Sequence, residues 1–249
     1  MILDVKNSLN IYFVLFCTAL SFEAFAQTDT TQNQTNTKKV STELSADIVS
    51  SYYWRGAYND ANPNIQPSLL FGYQQFELEL WASNNLDNSY REFDWTLSYK
   101  IKSFKFSLSD YYYDFSKRYF HYSIDAPHLL DASIKYEIGE KNTFSLLASC
   151  MVWGDDKYKF YNQSDREIQN YSSYLEASYV INCDKDSYTF LLGATTHKGM
   201  YSDTYNVVNI GFKYEKTVNI TPKHEVVPFF GLWANPATAQ LFFNCGLSL

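Results

Sequence analysis

The chain has 249 residues, 20 Lys and Arg against 27 Asp and Glu, and a net charge of −7 at neutral pH. An acidic balance argues against a nucleic-acid partner, which calls for a basic face. The 22 tyrosines and 19 phenylalanines are unusually many, and so point to a fold that must place many aromatics on one surface.

The first residues resemble an export signal. Lys6 supplies a positive start, "IYFVLFCTAL" an apolar stretch too short to span a bilayer as a helix, and "AFA" a cleavage site ending at Ala26. Residues 1–26 are therefore expected to be a signal peptide. Without Asp4, Lys6 and Glu23 the mature chain carries 19 basic against 25 acidic side chains, a net −6. Residues 27–39, "QTDTTQNQTNTKK", contain no aromatics and read as a disordered polar lead-in. Residues 40–249 are enough for one large all-β domain. Cys150, Cys183 and Cys245 are an odd set, with neither disulfide nor zinc-ligand spacing.

From there the sequence alternates. "ELSADIVSSYYWR" sets Leu44, Ala46, Ile48, Tyr52 and Trp54 against Glu43, Ser45, Asp47, Ser51 and Arg55. "FELELWAS", "EFDWTLSYKI", "FKFSLS", "LDASIKYEI" and "NIGFKYE" repeat the pattern, with Glu77, Glu79, Glu92, Asp94, Lys105, Asp131, Lys135 and Lys213 on the polar side. Twelve strands are expected, near 41–56, 64–73, 76–84, 90–101, 104–113, 129–138, 142–153, 171–182, 187–197, 206–216, 225–234 and 240–249. "RYFHYSI" (118–124) could add further strand. Long connections alternate with short ones such as Gln74–Gln75 and Lys102–Ser103. An even strand count with loops on one rim and turns on the other describes an outer-membrane β-barrel.

The aromatics agree with this. Tyr73, Phe76, Tyr99, Phe104, Tyr136, Phe144, Tyr179, Tyr188 and Tyr214 lie near short turns with the parity of the apolar face, as a girdle at a membrane–water interface would. Tyr52, Trp54, Trp95, Tyr112 and Tyr171 are candidates for the opposite girdle. The expected fold is thus all-β: a closed antiparallel transmembrane barrel of about 12 strands, with apolar faces toward lipid and charged faces toward a lumen.

"YYWRGAYNDANPNIQPSLLFGY" (52–73) resembles the opening of the TorF-type porin family, through Arg55, Gly56, Pro63, Gln66 and Tyr73; "WASN" and "EFDWTLSY" resemble its next two signatures. The resemblance is strongest over 50–99. It implies an outer-membrane barrel assigned as a channel, and it leaves the solute undefined. The final "CGLSL" departs from the terminal Phe common in such barrels.

The expected function is passive diffusion of small hydrophilic solutes, with outer-membrane lipid as the surrounding partner and no cofactor. Arg55, Glu77, Glu79, Glu92 and Asp94 are candidates for the lumen constriction, either as a selectivity ring or as a structural ion network. Tyr53, Trp81, Tyr111, Tyr113, Trp153 and Trp233 are candidate lumen aromatics, for stacking on solutes or packing on an inserted loop. The alternative is a non-conducting barrel serving as a surface binding or structural protein. A lipid hydrolase is less favoured: His121, His128, His197 and His224 are present, but no serine sits in an elbow of glycines. His121, Asp125, His128 and Asp131 could in principle gather a metal.

Overall fold

The computed structural model describes residues 40–120, 127–160, 163–222 and 224–249. The expected signal peptide and lead-in lie outside the described residues, as do His121 and Asp125 and most of the further strand at 118–124.

Among the described residues, twelve long strands close into an antiparallel barrel. They are β1 (Val40–Val49), β2 (Asn64–Tyr73), β3 (Phe76–Asn85), β4 (Arg91–Ile101), β5 (Phe104–Tyr112), β6 (His128–Ile138), β7 (Thr143–Gly154), β8 (Ser173–Cys183), β9 (Asp186–Thr195), β10 (Asn206–Lys216), β11 (His224–Asn235) and β12 (Gln240–Ser248). Each pairs with its neighbours in sequence, and β12 returns to β1. Backbone bonds close that seam from Ala46–Leu249 to Ser50–Cys245. Closure matters physically, because an open edge in hydrocarbon would leave backbone groups without partners.

Alternation decides which residues face out. In β4, Leu97 is 45% exposed while its neighbour Ser98 is 2% exposed. Ser98 and Thr96 bond to Ser107 and Ser109 of β5 at 2.9 and 2.8 Å, forming a hydroxyl ladder inside the barrel. The outer wall carries Leu78, Leu97, Phe106, Leu108, Leu146, Phe190 and Leu232. Two bulges interrupt the rule. Val152 is the extra residue opposite Leu130 and Asp131, and Val208 is the extra residue opposite Gly193 and Ala194.

The turn-end girdle is as expected. Phe76 packs on Tyr99, Phe104 on Tyr136 and Tyr188 on Tyr214, with ring centroids 4.9–5.2 Å apart across neighbouring strands. The opposite girdle differs. Strand one does not run to residue 56: β1 ends at Val49, and Tyr52 and Trp54 turn into the lumen as part of a separate hairpin. Residues 218–221 also extend the last turn as a short strand against His224–Val226, where a plain loop is expected.

Candidate functional site

The hairpin 52–60 lies across the loop end of the lumen. Its two short strands, Tyr52–Trp54 and Ala57–Asp60, are joined at Arg55 and Gly56, both with positive φ (44° and 94°). That geometry makes the tight reversal that suits two-residue hairpins. A Cβ at Gly56 would sit 2.0 Å from the Val208 carbonyl oxygen, so glycine is required by the close approach as well as by φ. The Gly56 carbonyl accepts from Asn235 Nδ2 at 2.8 Å. The tip therefore docks on β10 and β11, three and two strands round the barrel from β1, where the hairpin starts.

Each hairpin residue meets a different part of the wall. Tyr52 packs on Trp81 of β3 at 5.3 Å. Tyr53 stacks on Trp233 of β11 at 4.9 Å and 18°, and its hydroxyl donates to Asn209 of β10 at 2.6 Å. Trp233 lies flat because Gly211 and Gly231 leave room for it, and its indole donates to Asn244 at 2.9 Å. Trp54 meets Tyr111 of β5 edge-on at 5.3 Å. Tyr58 packs on Phe242 of β12 at 4.6 Å, and its hydroxyl donates to the Phe243 carbonyl at 3.0 Å.

Arg55 is the centre of this assembly. Its Nη2 donates to Asp131 Oδ2 on β6 at 2.7 Å, and its Nη1 donates to the Tyr201 hydroxyl at 2.8 Å. The guanidinium lies over the rings of Trp54 and Tyr174, at 4.6 and 4.9 Å. Tyr111 shares the same Asp131 oxygen at 3.3 Å. The two charged side chains are 11% and 2% exposed, so the pair is almost dry. Burial, partly offset by Arg55, pushes the Tyr201 phenol up to about 12. Tyr201 therefore meets Arg55 as a neutral acceptor, and Asp131 is the group that matches its charge.

The other expected residues are distributed as follows. Glu92 and Asp94 face the lumen from β4 and are buried, but Arg55 pairs with Asp131 instead. Tyr90 donates to Glu92, and Asp94 accepts from the Tyr112 amide at 3.3 Å. Glu79 accepts from Ser68 at 2.9 Å. Glu77 is at the turn end, bridging Lys100 (2.7 Å) and Lys105 (3.4 Å). These residues do not form one ring. Trp81, Tyr111 and Trp233 face the lumen against the hairpin. Tyr113 is at the rim, bonded to Asp155 at 2.6 Å. Trp153 is corrected: the Val152 bulge shifts it by one, it pairs with outward Leu130, and so it lies on the outer face. Asp131, Tyr174, Tyr201 and Asn209 complete the site. Of these, Asp131 and Asn209 had the lumen parity in the sequence.

His128 and Asp131 cannot share a metal, because they point to opposite faces of β6. His128 Nδ1 is 2.9 Å from Asp110 and Nε2 is 2.6 Å from the Tyr119 carbonyl.

No protein-family model and no curated protein matches this chain, and the TorF-type resemblance gains no support from them. Among solved structures, the chain is similar to the COG4313 outer membrane channel from Pseudomonas putida F1. The identity is 14%, the alignment covers 88% of this chain and 98% of that one, and the TM-score is 0.41.

Proposed function

We propose that this protein is an outer-membrane barrel that passes small hydrophilic solutes by passive diffusion, along a path narrowed by the hairpin 52–60. The observation that carries this reading is the closed barrel itself: an apolar outer wall with an aromatic girdle, wrapped around a lumen lined by Ser, Thr, Lys and Glu. Outer-membrane lipid is its surroundings. The reading needs no cofactor. Arg55 acts here as the latch of the constriction, with Glu92 and Asp94 on the neighbouring wall.

One observation favours a second reading, a non-conducting barrel serving as a surface binding or structural protein. The hairpin touches β3, β5, β6, β10, β11 and β12, so its side chains reach the wall on several sides of the lumen. Recordings from the refolded mature chain in planar bilayers separate the two. Discrete conductance steps support diffusion, and consistently silent membranes containing folded protein select the second reading.

A further inference from the structure

At the loop end of β4, β5 and β6, three outward-facing residues lie side by side: Phe93 opposite Tyr112, and Tyr112 opposite His128. Elsewhere on the wall that parity is open to lipid. Here Tyr112 is 2% exposed and His128 is fully buried. The cover is the segment 113–120, which folds back over the outside of the barrel. Tyr119 packs on Phe93, Tyr112 and His128 at 5.9, 4.9 and 5.0 Å, and Phe115 packs on Tyr112 at 4.8 Å. The Tyr112 hydroxyl donates to the Lys117 carbonyl at 2.7 Å. Beneath this cover, Asp110 faces His128 and accepts from the Trp95 indole at 3.1 Å. Acyl chains could satisfy none of these polar groups, so the saddle seals them from lipid.

The saddle's own outer surface has an unusual composition for a chain of net charge −7. Arg91, Lys117 and Arg118 are exposed on it, with the Arg91 guanidinium 5.1 Å over the Phe115 ring. Phe115 is also exposed, and Phe120 is 86% exposed. The acidic Asp114 lies on the same segment, part-exposed and near Lys117, and accepts from the Ser116 amide and hydroxyl; the three cations outnumber it. Cations beside bare aromatic rings, on the outside of a barrel rim, match the boundary between lipid headgroups and acyl chains.

We propose that this saddle is a binding site for an anionic lipid. Arg91, Lys117 and Arg118 receive its phosphate, and Phe115 and Phe120 dip into its acyl region. The proposal rests on the outer-membrane reading above, with the loop end in the outer leaflet. It does not depend on whether the lumen conducts.

The test is native mass spectrometry of the folded full-length barrel in detergent micelles, titrated with bisphosphorylated lipid A, with the same lipid stripped of phosphate, and with inorganic phosphate. Wild type should bind the phosphorylated lipid at least tenfold more tightly than the stripped one. R91Q alone should weaken binding about fivefold, in line with the contribution of one basic residue at an anionic lipid surface. R91Q/K117Q/R118Q should weaken it at least tenfold, and the lumen control K105Q should leave it unchanged. Retention of the compact, heat-modifiable form shows that each variant is folded. Equal binding of stripped lipid, or no loss in the folded triple variant, would overturn the proposal. So would equally tight, variant-sensitive binding of inorganic phosphate, which would mark a small-anion site. Binding is read in micelles, so a silent pore would contradict the functional reading without altering this result.

Discussion

The two ends of the lumen obey one rule of alternation and reach opposite outcomes. At the loop end, the polar parity meets the inserted hairpin, and Arg55, Asp131, Tyr111, Tyr174 and Tyr201 become an almost dry interior. At the turn end, the same parity gives Lys100 opposite Lys105 and Lys105 opposite Lys135, flanked by Glu77 and Glu137 and open to water. Like charges directly opposite are normally unfavourable in a sheet. They are tolerated here because their heads reach solvent and two carboxylates bracket them. The polar face of a barrel strand is therefore not bound to be wet: what folds onto it decides.

This contrast can be broken at either end. The largest effect is expected at Arg55. R55A leaves Asp131 charged, buried and unpaired, which costs about 3–5 kcal/mol. Denaturant unfolding of the barrel in lipid vesicles would measure it, and R55M/D131L should recover most of the loss. Next is the wall itself. L97R puts a cation on the lipid-facing side near mid-strand and should cost about 2–4 kcal/mol in the same assay; a neutral result would mean that this face does not meet lipid. A smaller effect is expected for the stack in the lumen. A double-mutant cycle of Y53L and W233L should give a coupling of about 0.5–1.5 kcal/mol beyond simple area loss. The smallest is at the turn end. Lys135 and Glu137 are 2.6 Å apart but 41% and 50% exposed, so K135A should change stability by less than about 1 kcal/mol. A loss there as large as that of R55A would erase the distinction between the two ends.

The barrel was legible because its alternation repeats from strand to strand. "FELELWAS", "EFDWTLSYKI" and "FKFSLS" each alternate long enough to fix a face, and the turns between them are short enough to fix the pairing. The hairpin was not, because Tyr52 and Trp54 continue the apolar parity of β1 through the point where the chain leaves the wall. The available signal was Gly56, a residue suited to positive φ between the aromatics Tyr52–Trp54 and Tyr58, and it reads more weakly after Arg than after Asn or Asp. Trp153 was misplaced for a related reason: a single extra residue at Val152 reverses parity, and nothing in "ASCMVWG" marks it. Asp131 carried the right parity, but only a tertiary contact selects it over Glu92 or Asp94 as the partner of Arg55. The polar saddle outside β5 and β6 was hidden too, since an outward Asp110–His128 pair makes sense only once residues 113–120 cover it.

On the proposed reading the inserted segment 52–60, and not the circle of strands, sets the width of the lumen. This is tested most directly by bilayer recording of a barrel in which residues 51–61 are replaced by a short Gly-Ser linker, beside the intact chain. The expected product is a folded, heat-modifiable barrel whose conductance is at least severalfold higher than that of the parent. A folded variant with unchanged current, or with no current where the parent conducts, would contradict that reading.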